Sequence, residues 1–263
     1  MQTWIDIQRI RAKGPLVHNI TNYVVMNNSA NALLALGASP IMAHAIDEVD
    51  EVVAISDALV INIGTLSRAW IESMILAGQA ARRKGIPVVL DPVGCGATSL
   101  RTATVRRLLD EVRPSIVRGN ASEIRSIVID ERGAKGVDSA HGTDEALEAA
   151  EALARRHGCV VSVSGETDLV VDGKSVIRVR NGHPMMPRVT GLGCTASALT
   201  GAFAAVNPSA LEAAANAMVV SGIAGEMASE RSSGPGSFQV SFIDALYLMN
   251  EDEVGKRMRV EMD

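Results

Sequence analysis

Apolar residues in this chain fall into two patterns. Short continuous runs alternate with longer stretches in which apolar positions recur every three or four residues. The runs "PLVHNI" (15–20), "SPIMA" (39–43), "ALVINIG" (58–64), "IPVVLDP" (86–92), "PSIVRG" (114–119) and "CVVSVSG" (159–165) predict strands. Runs this apolar suit strands covered on both faces. The helical period predicts helices over 22–37, 47–56, 67–85, 102–112, 121–129 and 144–158. End signals agree: Gly37 and Gly85 stop two of these helices, acidic residues open 47–56, and basic residues close 67–85. "DLVVDGKSVIRVR" (168–180) predicts a hairpin with Asp-Gly at or near its turn. From Cys194 to about Met249 the pattern is mostly helical, broken near "NPS" (207–209) and "SSGPGSF" (232–238).

Strand–helix alternation of this kind implies βαβ units, a mostly parallel α/β sheet and helices on both faces. No repeat or long linker interrupts it, so one domain over residues 1–263 is expected. In such sheets ligands bind outside the carboxyl ends of the strands. The segments that follow the strands here are polar or glycine-rich: "HNITN", "NIGT", "DPVGCG", "RGNASE", "VSGE" and "TGLGC".

Composition narrows the class. Hydrophobic residues make up 47% and aromatics only 3%, so a large core must be packed from Ala, Val, Leu, Ile and Met. The formal net charge of -5, without a basic stripe, argues against nucleic acid as a partner. No apolar run has the length of a membrane span, and the polar stretch Met1 to Arg11 lacks the apolar segment of a secretory signal. Cys95, Cys159 and Cys194 fit free thiols in a reducing compartment, and a cytoplasmic location is expected.

Three stretches carry candidate chemistry. In "VTGLGC" a glycine turn opens a helix, which presents unpaired N–H groups and the positive end of the helix dipole to an anion. Cys194 at that place has its thiolate favoured, or else is a small apolar filler. In "VLDPVGCGA", Asp91 ends an apolar strand, where a carboxylate either holds Mg²⁺ through water or fixes an Asp-Pro turn. Cys95 lies in what reads as a flexible glycine loop and is incidental. In "VRGNASEI", Asn120 and Glu123 have the spacing of a capping box, Arg118 suits a phosphate, and Glu123 suits a metal at the sheet edge. His18, His44, His141, His157 and His183 are scattered, and neither they nor the cysteines show zinc spacing.

Taken together, "VHNITNYVVMNNSANALLALGASPIMAHA", "DPVGCGA", "VRGNASEI", "VTGLGC" and "GPGSFQ" resemble hydroxyethylthiazole kinases over residues 17 to 239. The resemblance implies a ribokinase-like fold and transfer of the γ-phosphoryl group of ATP to the hydroxyl of 4-methyl-5-(2-hydroxyethyl)thiazole in thiamine salvage, with Mg²⁺. It implies roles by position. Cys194 is the catalytic candidate beside the hydroxyl, and Met42 and Gly191 contact the alcohol. Arg118 and Ser164 contact ATP, and Asp91 and Glu123 serve the metal. Leu192, between the two glycines, departs from the small or hydroxylated residue of many members and puts the local shape of the turn in question. The resemblance also implies a homotrimer with sites at subunit interfaces. Sugar kinases of the wider fold carry a β lid, which the segment from Ser39 to Asp57 is too short and too helical to supply. Three other readings compete: another small-alcohol kinase of the same fold, a hydrolase or transferase with Cys194 as nucleophile, and a non-catalytic nucleotide- or thiazole-binding protein.

Overall fold

The computed structural model describes residues 1–132 and 142–263, so His141 lies outside the described residues. The chain opens with α1 (Thr3–Lys13), β1 (Leu16–Ile20), α2 (Met26–Leu36), β2 (Ser39–Ile41) and α3 (Val49–Ile55). It continues through β3 (Ala58–Asn62), α4 (Arg68–Lys84), β4 (Val88–Asp91), α5 (Ser99–Glu111), β5 (Ile116–Asn120) and α6 (Ala121–Arg132). Then come α7 (Gly142–His157), β6 (Val160–Ser164) and the hairpin β7 (Asp168–Val171) and β8 (Val176–Val179). A helical block follows: α8 (Leu192–Ala204), α9 (Ala210–Ser229), α10 (Pro235–Leu248) and α11 (Glu251–Arg257), closed by β9 (Val260–Met262).

Among the described residues nine strands form one sheet in the order β2-β1-β3-β4-β5-β6-β7-β8-β9. The pairs from β2 to β6 are parallel and those from β6 to β9 antiparallel. Two cores result, because successive strand residues point to opposite faces. Val17, Val60 and Val89 pack under α1, α2, α8, α9 and α10. Leu59, Ile61, Val88 and Leu90 pack under α3 to α7. The segment 39–57 supplies the edge strand β2 and helix α3 rather than a lid.

Local chemistry sets the ends of several elements. Ser67 caps α4 by accepting from the Trp70 N–H, and Gly85 ends it at φ 79° in the left-handed region. The predicted helix over 22–37 begins only at Met26. The Asn22 side-chain oxygen accepts from the Val24 N–H at 3.1 Å and holds 22–25 in a turn. The break expected over 232–238 is shorter, since Pro235 starts α10 with its ring-fixed φ. Cys95 is buried in the core under α3 to α7 and does not lie in a loose loop. Helix α1 was not signalled by the polar pattern of the first eleven residues. It docks through buried Ile7 and Ile10 and through Asp6, whose Oδ2 accepts from Asn207 at 2.6 Å and Asn216 at 2.8 Å. Among the described residues, no helix is long and apolar enough to cross a membrane.

Candidate active site

The carboxyl edge of the sheet gathers most of the residues singled out above. Asp91 ends β4, Arg118 lies on β5, Ser164 ends β6, and Glu123 sits in the first turn of α6. The Gly191–Cys194 turn opens α8 above them. A cleft of about 970 Å³ runs along this edge, lined among others by Arg118, Asn120, Ser164, Gly191 and Gly193. Asp91, Glu123 and Cys194 do not line it, and neither does Met42, which follows the edge strand β2.

The turn is built for an anion. Gly191 has φ 84°, and a Cβ there would sit 2.6 Å from the Val25 side chain, so only glycine fits. Being the N-cap of α8, it leaves the first N–H groups of that helix without intrahelical partners. A Cβ on Gly193 would come within 3.0 Å of Arg118 Nη1, so guanidinium and turn are adjacent. Arg118 is buried, and its Nε has no hydrogen-bond partner in the protein. A buried cation with an orphaned donor beside a glycine turn fits a phosphate chain.

Asp91 is 2% exposed, and one of its oxygens is fully engaged. Oδ2 accepts from Asn62 Nδ2 and from Ser197 Oγ, both at 2.7 Å. Burial, with a smaller push from Glu123, raises its carboxyl to about 6, against the pull of Arg118, Ser197 and Asn62. At neutral pH it is therefore an anion in a dry place, stabilised by two donors and poised for a cation. The Glu123 carboxylate is shared by two backbone amides. Oε1 accepts from Gly94 N at 2.8 Å and Oε2 from Asn120 N at 2.9 Å. Asn120 Oδ1 accepts in return from Glu123 N at 3.0 Å, which completes the capping box. Glu123 thus fastens the glycine loop after β4 to the start of α6. Among the described residues no group of three or more His, Cys, Asp or Glu is set to hold a metal. Two carboxylates suffice for Mg²⁺, which keeps several waters and takes other ligands from substrate phosphates.

Of the two readings of Cys194, the favoured thiolate is the one its surroundings oppose. Burial, then the Asp91 carboxylate, pushes its thiol up to about 11, against the amides of Asn62 and Asn22 and the charge of Arg118. The helix start does not make it a thiolate at neutral pH, because desolvation and a like-signed neighbour outweigh it. Ser164 Oγ donates to Gly119 O at 3.4 Å, tying the end of β6 to β5. Leu192 packs against the core formed with α8 and α9 and also lines the cleft.

Four further participants were not singled out from sequence: Asn22, Asn62, Ser197 and Asp168. Asn22 and Asn62 belong to the polar strand-end segments "HNITN" and "NIGT", which was their only local signal. Ser197 lies one helical turn past Cys194. Asp168 lines the cleft, and burial raises it to about 6, against the Gly165 N–H and Arg118.

The family described as the Hydroxyethylthiazole kinase family matches residues 7–252. A hydroxyethylthiazole kinase of Oleidesulfovibrio alaskensis is 58% identical over 251 residues, 95% of this chain and 94% of that protein. This chain belongs to the hydroxyethylthiazole kinase family. The solved structure of a hydroxyethylthiazole kinase protein from Pyrococcus horikoshii superposes with a TM-score of 0.93 at 44% identity, covering 99% of this chain and 98% of that one. The pyridoxal kinase from Staphylococcus aureus in complex with AMP-PCP has a TM-score of 0.67 at 16% identity, covering 95% and 98%. At that identity the likeness concerns the fold alone, and the fold is ribokinase-like. For this member of the hydroxyethylthiazole kinase family, the family match favours the kinase over a hydrolase or transferase with Cys194 as nucleophile.

Proposed function

We propose that this protein transfers the γ-phosphoryl group of ATP to the hydroxyl of 4-methyl-5-(2-hydroxyethyl)thiazole, in thiamine salvage. The observation that carries the reading is Arg118, buried with an orphaned Nε against the Gly191–Gly193 turn, in a chain of this family. Arg118 and Ser164 hold the nucleotide from the cleft side. The turn's N–H groups receive the transferring group as its charge spreads over the equatorial oxygens. Asp91 and Glu123 serve Mg²⁺, which when bound neutralises and orients the phosphates. Gly191 and Met42 contact the alcohol.

Cys194 lies against the reacting hydroxyl. In a loose transition state that hydroxyl loses its proton late, so little base strength is required of its neighbour. The protein works as one domain in the cytoplasm. A homotrimer closes the side of the site toward Met42, which the cleft does not reach.

An ADP-release assay with a panel of alcohols tests the proposal. ADP is expected only when the hydroxyethylthiazole and Mg²⁺ are both present. Equal release with water or ribose as acceptor counts against it.

A further inference from the structure

A chain of buried side-chain amides joins Cys194 to Asp91. Asn62, the last residue of β3, is 1% exposed and lies in register with Asp91 on β4. Its Nδ2 donates to Asp91 Oδ2 at 2.7 Å. Its Oδ1 accepts from Asn22 Nδ2 at 2.8 Å and from Gly64 N at 2.9 Å. Two donors aimed at one oxygen fix the amide's orientation, because a flipped amide would set its NH₂ against both of them. Asn22 is fixed in the same way. Its Oδ1 accepts from Val24 N at 3.1 Å, and its Nδ2 donates to Asn62 and, at 3.5 Å, to Cys194 Sγ. The Asn62 amide also hydrogen-bonds the Cys194 sulfur, so both asparagines tie Cys194 to Asp91.

The backbone around it is shaped to leave room. A Cβ on Gly64 would fall 2.5 Å from Asn22 Nδ2. Arg101 donates to the carbonyls of Ile63 and Gly64 at 2.8 and 2.7 Å and to Val93 O at 2.6 Å, pinning the loops after β3 and β4 together. A structural plug at this depth would be served by an apolar side chain of the same size, since buried amides are retained only at the cost of satisfying every group. Here the satisfied groups end on the metal carboxylate at one side and the reacting sulfur at the other.

We propose that Asn62 is a positioning residue that holds the Asp91 carboxylate and, directly and through Asn22, the Cys194 sulfur in one fixed relation. The inference rests on Asp91 serving the metal. Asn62→Ser removes the amide that donates to Asp91 and adds no charge beside it. Asn62→Leu loses both arms. Three quantities are measured on the full chain: the Mg²⁺ concentration for half-maximal ADP release, KM for the alcohol, and the rate of Cys194 alkylation by iodoacetamide in nucleotide- and metal-free protein. Both variants are expected to raise the Mg²⁺ requirement roughly 10- to 100-fold, the usual cost of losing a partner of a metal ligand, with KM for the alcohol little changed. Alkylation should change in both variants, because Asn22 loses its anchor and the sulfur loses the Asn62 amide.

Asn22→Ser serves if Asn62→Leu does not fold. It is expected to change alkylation and leave the Mg²⁺ requirement nearer wild type. Asp91→Asn is the control. An unchanged Mg²⁺ requirement in Asp91→Asn overturns the metal reading itself. A raised requirement in Asp91→Asn with a wild-type requirement in Asn62→Ser overturns the positioning role alone. Wild-type alkylation in both Asn62 variants overturns that role as well.

Discussion

Cys194 offers a quantitative test of how the tertiary environment acts on one group. Its thiol is moved from the ordinary 9.0 to about 11, first by burial and then by Asp91. Two units correspond to roughly 100-fold less thiolate at any pH well below 9, and alkylation proceeds through the thiolate. At pH 8 an ordinary thiol is about one-tenth ionised, whereas this one is ionised in about one molecule per thousand. The assay is the rate of iodoacetamide labelling of Cys194 in the protein without nucleotide or metal, followed by mass spectrometry from pH 7 to 10.5. The rate should climb about tenfold per pH unit and show no plateau at or below pH 9. Asp91→Asn removes the like-signed neighbour and should speed labelling at every pH, while bound thiazole alcohol should protect. A plateau below pH 8 would mean that the helix start governs the sulfur after all and that the burial argument is wrong. Because the hydroxyl loses its proton late in a loose transition state, Cys194→Ala should keep the fold and ATP affinity and lose about 100-fold or less in rate.

Two further outcomes follow from packing and charge. Asp168 ionises near 6 when folded and near 3.8 when unfolded, so between about pH 4 and 6 the folded state holds the proton more tightly. Stability should therefore fall as pH rises through that window, by an amount on the order of 2–3 kcal/mol. Asp168→Asn should flatten that part of the urea-denaturation profile, and profiles that stay parallel would refute the buried-carboxylate account. Gly201 lets α8 lie directly on the sheet, since a Cβ there would meet Val60 Cγ2 at 2.6 Å and Val17 Cγ1 at 3.0 Å. Gly201→Ala should cost about 1–3 kcal/mol by overpacking, visible as a lower Tm, and an unchanged Tm would show that the helix shifts freely.

What the sequence determined by itself was whatever depends on neighbours along the chain. Buried strands such as Ala58–Asn62 read as apolar runs, amphipathic helices such as Arg68–Lys84 read as a period with a cap and a glycine stop, and their alternation implied the parallel sheet. The same local logic pointed to the strand ends, and there the structure places Asp91, Arg118, Glu123, Ser164 and the Gly191 turn. Elements whose burial depends on distant partners stayed hidden. Helix α1 looked polar because Thr3 and Asp6 are matched by Asn207 and Asn216, some two hundred residues away. The last helix and strand, α11 and β9, escaped because each is short and gains its support from contacts elsewhere in the fold, β9 by pairing with β8. Asn22 and Asn62 carried no signal beyond being polar, since their meaning lies in a hydrogen-bond chain that joins β1, β3, β4 and α8. Cys194 shows the difference most plainly. Its position at a helix start is local and favours the thiolate, but its desolvation and its proximity to Asp91 are properties of the folded whole. In a medium that screens charge poorly, those two set the sulfur's proton.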